Sequence, residues 1–392
     1  MKAKVIGYIL LSLAFASTWT VSARLGPRDR RATENRKKNL NKPVKLIGAI
    51  FVPGNPLRFD ISWVDQATGR YYLGEAGNAG VDVIDARNDL YLGRITGFHG
   101  VGTPDDPCGP TQGMGPSGVV VTPNNQLWAT DAHGLVRVFD LNNANPPLNV
   151  SPIATISTGA QCRADEIGFD PKDHVIVVGN PTEKPPLGVV ISSDPPYPVL
   201  SKIPFPDARG FEQPVWDPEL KGGRMLVTVP GNGGMGEVAV INLRDPKAPL
   251  IETTYQTPNC GSGLALGRSQ HLLVGCGGGK PNIMIDGLTG KLIVAIDQTH
   301  GADEVWYNSG DNRFYAPSGA TQTVSVIDAD TGAFVNSLPA GTGVHSVAAF
   351  RENNHIFVPV APPTAAAPMD PCNTMFGFPA KQGCVFVYSH EE

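Results

Sequence analysis

Charge is scarce in this sequence, with Asp, Glu, Lys and Arg making up 17% of its 392 residues. After residue 23 no apolar run reaches the ~20 residues of a helical membrane span, so no such span is expected. No C-x-x-C pair occurs and the six cysteines follow no zinc-site spacing, which argues against a cysteine metal site. What is abundant is glycine (45), proline (36) and hydrophobic side chains (41%). That balance belongs to an all-β globular protein with many turns and a large core.

Lys2 and Lys4, an apolar run over residues 5–16 and the small-residue end Val21-Ser22-Ala23 have the form of a cleavable signal peptide over residues 1–23. They predict a secreted or periplasmic protein. Residues 24–43 are basic and without apolar periodicity, and are expected to be a disordered linker or propeptide. Ten of the 31 Lys and Arg but two of the 36 Asp and Glu lie in residues 1–42, which leaves the remainder at a formal charge of −13. So acidic a domain is expected to avoid nucleic acid and to favour cations. Asn149-Val150-Ser151 is a glycosylation sequon on a surface connection.

Residues 302–346 show how the rest of the chain is organised. Three short β-branched and aromatic runs, residues 305–307, 314–316 and 324–327, are separated by Gly/Asn/Asp turns, and a fourth follows at 334–338. Nothing in this unit reads as a helix. A four-stranded sheet of this kind cannot bury both faces alone, and a 40–50-residue period with four strands per copy marks a propeller. Seven copies align, over residues 60–98, 117–157, 165–205, 212–255, 262–297, 303–338 and from 344 onward. The apolar run at residues 44–51 precedes the first copy and would be the fourth strand of the seventh, closing the ring and removing its edges. The expected fold class is therefore all-β, one seven-bladed β-propeller over residues 44–392.

Six cysteines in an exported chain imply disulfides. Cys260 precedes the first strand of blade five and Cys276 ends its second. Cys372 and Cys384 bracket an insertion in blade seven, and Cys108 and Cys162 lie in loops that lead into first strands of adjacent blades. All six fall on one face and pair without crossing a blade as 108–162, 260–276 and 372–384. The two longer loops, residues 97–115 and 361–383, belong to that face, and loops of this length are more often functional than idle.

The runs Val324-Ser325-Val326-Ile327-Asp328 and Val81-Asp82-Val83-Ile84-Asp85 resemble the repeats of exported YVTN-type propellers, a likeness that covers nearly all of the mature chain. It implies the fold and little chemistry. A narrower likeness covers Glu212-Gln213-Pro214-Val215-Trp216-Asp217-Pro218, which is similar to the E-x-P-x-W-D-P opening of the gluconolactonase and senescence-marker propellers. The resemblance implies that Glu212 is a divalent-metal ligand. That family's Asn ligand has no counterpart here, and six blades rather than seven are usual there.

First strands line a propeller's channel, so equivalent positions form a ring. The ring reads Asp60, Ser117, Asp165, Glu212, Ser262, Asp303 and His345, and a second tier includes Glu166, Gln213 and Glu304. Crowded carboxylates raise one another's pKa unless a cation compensates, so the ring is expected to hold a metal or a proton near neutral pH. We assign Asp165, Glu212 and Asp303 as ligands of a divalent metal (Ca, Mg, Mn or Zn), Asp60 and His345 as catalytic, and Ser117, Ser262, Glu166 and Glu304 as ligand-binding. The chemistry expected is metal-assisted hydrolysis of a lactone or related ester at the channel mouth. The alternative is a non-catalytic propeller that binds a small molecule there or a protein at its rim. A Ser/His/Asp arrangement of Ser117 or Ser262 with His345 and Asp303 lacks a nucleophile elbow. The stretch 275–280 looks like a phosphate loop, but Pro281 replaces its Ser/Thr and no helix follows. Trp63, Trp216 and Trp306 read as inter-blade core, and His99 and His133 as surface histidines.

Overall fold

The structure, a computed structural model, describes residues 43–142, 150–231, 235–277 and 279–390. Residues 1–23, expected to be a signal peptide, the basic segment up to residue 42 and the sequon residue Asn149 lie outside the described residues. In blade six the strands Trp306–Asn308, Arg313–Ser318, Thr323–Asp328 and Phe334–Pro339 pair in that order, within one or two residues of the sequence expectation. Every residue of Arg313–Ser318 is buried, whereas Phe334–Pro339 alternates. The inner strands have a blade on either side, so both of their faces need apolar residues. The outermost strand faces solvent on one side and keeps a two-residue period.

The aspartate that closes each V-x-V-I-D run makes the turn behind it. Asp328 Oδ1 accepts the amides of Asp330 at 3.2 Å and Thr331 at 2.9 Å. Asp85 does the same for Arg87 at 2.8 Å and Asn88 at 3.2 Å. These are Asx turns, and they account for the recurrence of Asp at that place.

Seven such four-stranded antiparallel sheets form the molecule. Six are built from four consecutive strands. The seventh is ordered so that the N-terminal strand, Val44–Ile50, pairs antiparallel with Cys384–His390, from Val44 opposite His390 to Ile50 opposite Val385. The ring is thus closed by hydrogen bonds between the two ends of the propeller sequence, as the unmatched run at 44–51 implied.

The core lies between blades. Tyr71 and Leu73 of blade one pack with Phe350 and Phe357 of blade seven, and Val177 of blade three packs with Phe211 and Met225 of blade four. The tryptophan buried entirely between blades is Trp128, edge to face with Tyr197 at 5.4 Å. Trp63 and Trp306, expected there, are half-buried: each packs against inter-blade clusters, both also line the channel cavity, and they meet edge to face at 5.3 Å. Trp216 is half-buried as well and packs against the cluster between blades three and four. All three expected disulfides are present: Cys108–Cys162, Cys260–Cys276 and Cys372–Cys384. Two short α-helices among the described residues, Gly109–Gln112 and Pro371–Phe376, stand inside the two long loops of the cysteine face.

Candidate functional site

The entrance ends of the first strands bring Asp60, Asp165, Glu212 and Asp303 to one channel mouth, as the alignment required. They are close enough to act on one another's ionisation. Sequence reasoning missed the residue at their centre. Arg163, in the loop ahead of the first strand of blade three, donates from Nη1 to Asp60 Oδ2 at 2.7 Å. Its Nη2 lies 2.7 Å from Asp165 Oδ2. Its backbone amide donates to the carbonyl of Gln112 at 2.9 Å, so the 97–115 loop fixes where the guanidinium stands. The positive charge that the ring called for is therefore supplied in part by the chain itself.

Arg163 divides the carboxylates into two kinds. Burial by itself would raise Asp60, but Arg163 and His345 outweigh it and hold the acid at about 2. Asp165 and Glu212 go the other way. For both, burial is the largest effect; at Asp165 Arg163 opposes it while Asp60, Glu166 and Asp303 add to it, and at Glu212 Asp165, Glu166 and Asp303 each add to it more than Arg163 removes. Asp303 is also pushed up by burial and by Asp60, with His345 opposing. Water in the channel reaches the Asp303 side chain although protein surrounds it, which moderates that push.

His345 stacks on Phe59 at 4.7 Å, donates from Nδ1 to the Gly343 carbonyl at 2.6 Å and turns Nε2 toward Asp60 Oδ1 at 3.6 Å. Burial disfavours its charged form, but Asp60 and Asp303 prevail and raise it. Both ring nitrogens are thus directed away from a serine hydroxyl. Ser117 is fully buried beside Asp60, and its hydroxyl helps to hold that carboxyl down. Ser262 lines a separate pocket with Arg209 and Lys280.

The second tier crosses the channel. Gln213 of blade four donates to the Val305 carbonyl at 2.9 Å and accepts the amides of Leu264 at 2.6 Å and Val305 at 3.1 Å. The carboxyls of Glu166 in blade three and Glu304 in blade six lie close enough to act on each other's ionisation. Burial is the main reason that both are raised, Glu166 to about 7 and Glu304 further. Trp63, Trp306, Leu264 and the Glu166–Glu304 pair line a channel cavity of about 190 Å³.

Asp165, Glu212 and Asp303 do not form a compact metal cage. Among the described residues, the His/Cys/Asp/Glu set whose ligand atoms all lie within 4.8 Å of one another is His99, Asp106 and His133, on the loops beside the mouth. The guanidinium between Asp60 and Asp165 compensates those two carboxylates directly.

No protein-family profile and no curated protein matches the chain, so the YVTN-type and gluconolactonase likenesses rest on the residues quoted above. Solved structures do match. The WD40 propeller domain of Doa1 is 12% identical with a TM-score of 0.60, over 89% of this chain and 98% of that one. A chain of the mitotic checkpoint complex is 13% identical with a TM-score of 0.63, over 98% of this chain and all of that one. At such identities the likeness carries fold alone, and what it establishes is a seven-bladed β-propeller with WD40-like structural neighbours.

Proposed function

We propose that this is an exported binding propeller whose acidic channel mouth takes a small cationic ligand, either an organic ammonium or a divalent cation. One observation carries this reading. Asp165, Glu212 and Asp303 crowd one mouth around a single guanidinium, and burial and their own repulsion push all three upward, so an arriving positive charge would lower them and favour proton release. The three disulfides support export to an oxidising compartment. Calorimetry with a short alkyl diamine, with Ca²⁺ and with a neutral lactone, each in two buffers of different ionisation enthalpy, tests the proposal. Binding of the diamine or the cation with release of protons is expected. Binding of the lactone alone, or of a cation without proton release, would overturn it.

Hydrolysis of a lactone is the second reading. Its support is Glu212, which stands at the mouth in the E-x-P-x-W-D-P strand. It needs a base that titrates near working pH, and Asp60, held near 2, is too weak. Glu166, near 7, would have to take that role. A protein partner at the rim is the remaining reading, and its support is the WD40-like architecture.

A further inference from the structure

The loop of residues 97–115 and the hairpin turn of blade two place three potential metal ligands together, 34 residues apart in sequence at the extremes. Asp106 Oδ2 lies 3.3 Å from His133 Nε2 and 3.8 Å from His99 Nε2. A tetrahedral ion with ligands at 2.0–2.1 Å separates its donors by about 3.3 Å, so two edges of the triangle already approach that spacing. We propose that His99, Asp106 and His133 bind one divalent transition-metal ion of the Zn²⁺ type, with at least one coordination position left to water.

The surroundings of the three side chains support this independently of their spacing. Asp106 Oδ1 accepts the Cys108 amide at 2.8 Å, which leaves Oδ2 turned to the histidines. A Cβ on Gly113 would stand 2.4 Å from Asp106 Cγ, so glycine is needed there to seat the carboxylate. The base of the loop is closed directly after His99 by paired backbone hydrogen bonds between Gly100 and Gly115, at 2.9 and 3.0 Å. Its far side is tied to blade three by Cys108–Cys162. The histidine backbones are fixed through one buried group: Asp131 Oδ1 accepts the amide of His99 at 3.1 Å and of Ala132 at 2.9 Å. His133 itself has φ +56°, followed by Gly134 at +64°, in a hairpin turn where asparagine before glycine is usual. A residue held in that region by the fold invites a functional reason. Ligands fixed in this way before the ion arrives lose little freedom when it binds.

The protein, stripped with chelator and titrated with Zn²⁺, should take up one ion per chain. Co²⁺ at the same site should show visible absorption of a low-coordinate centre. Affinity should fall as pH is lowered from 7.5 to 5.5, because the ligand form of histidine is the neutral one. His99→Ala, Asp106→Asn and His133→Ala should each weaken binding by at least about tenfold, whereas His174→Ala, which alters another surface histidine, should not. The histidine variants should keep the unfolding temperature of the metal-free protein, because both side chains are solvent-accessible. Retention of full affinity in the His99→Ala/His133→Ala double variant would overturn the proposal. So would loss of the ion in Glu212→Gln with retention in His133→Ala, which would place it in the ring instead.

Discussion

Arg163 lies two positions before Asp165, yet its other partner, Asp60, is 103 residues away. Removing it as Arg163→Gln leaves two crowded carboxylates uncompensated in a largely buried place, and we expect a loss of about 3 kcal/mol or more at pH 7. The loss should carry a pH signature. Asp60 is depressed in the folded protein, so its contribution is present above its ordinary 3.8 and disappears as pH falls through about 2. The gap between wild type and variant, read by denaturant unfolding, should therefore narrow from pH 6 toward pH 3; a gap that widened would refute the assignment. Glu166 has the opposite sign. It is raised from 4.5 to about 7, so its stabilising effect is full below 4.5 and is lost as pH rises through 7. Wild type should thus melt at lower temperature at pH 8 than at pH 5, and Glu166→Gln should flatten that slope; an unchanged slope would show that the Glu166–Glu304 pair does not titrate there. The ring positions were legible in sequence because blade repeats fix which residues are equivalent. Arg163 was not, since repeats reveal where a backbone goes but not which way a long side chain crosses a channel. The His99, Asp106 and His133 set was hidden for a similar reason: its members come from two loops with no ligand spacing between them.

Strands and turns were nearly all legible, and the reason is visible in the second strands. Buried on both faces, they carry short apolar runs, Val-Ile-Val-Val in Val175–Asn180 and Met-Leu-Val in Arg224–Val229, with turn residues nearby. Trp63 and Trp306 meet both the inter-blade core and the channel, and the second contact was hidden because an aromatic residue on a first strand looks the same in sequence whichever it faces. The closing strand yields a direct comparison of two truncations. Loss of residues 44–50 should abolish cooperative unfolding, since it leaves Cys384–His390 as an unpaired edge, whereas loss of residues 24–40 should leave the melting temperature unchanged. Equal melting temperatures would sink the closure argument. The disulfides should matter less than that strand. Cys372–Cys384 closes a loop of separation 12, and its Cys→Ser double variant should lose about 3 kcal/mol or less. Circular dichroism in the near ultraviolet should show the blade aromatics still packed.

At the scale of the molecule the acidic charge and the closed ring act together. An acidic propeller attracts cations over a range set by salt, so binding at the mouth should weaken as NaCl is raised from 50 to 300 mM; calorimetric affinity that is indifferent to salt would argue for a neutral ligand instead. The pairing of Val44–Ile50 with Cys384–His390 has a further consequence, in time rather than in energy. Partners separated by roughly 340 residues emerge roughly 20–70 s apart at ordinary rates of synthesis. Through that interval the first-made strand has no mate, six blades are able to form without it, and the seventh stays open. A circular permutant that joins residue 390 to residue 43 by a short linker and opens between blades six and seven would make every blade local. It should reach the same stability but refold faster, because the longest-range pairing in the fold has become a hairpin. The natural order of strands makes completion of the ring wait on the last strand of the propeller, so that a propeller cut short of it never presents a finished mouth.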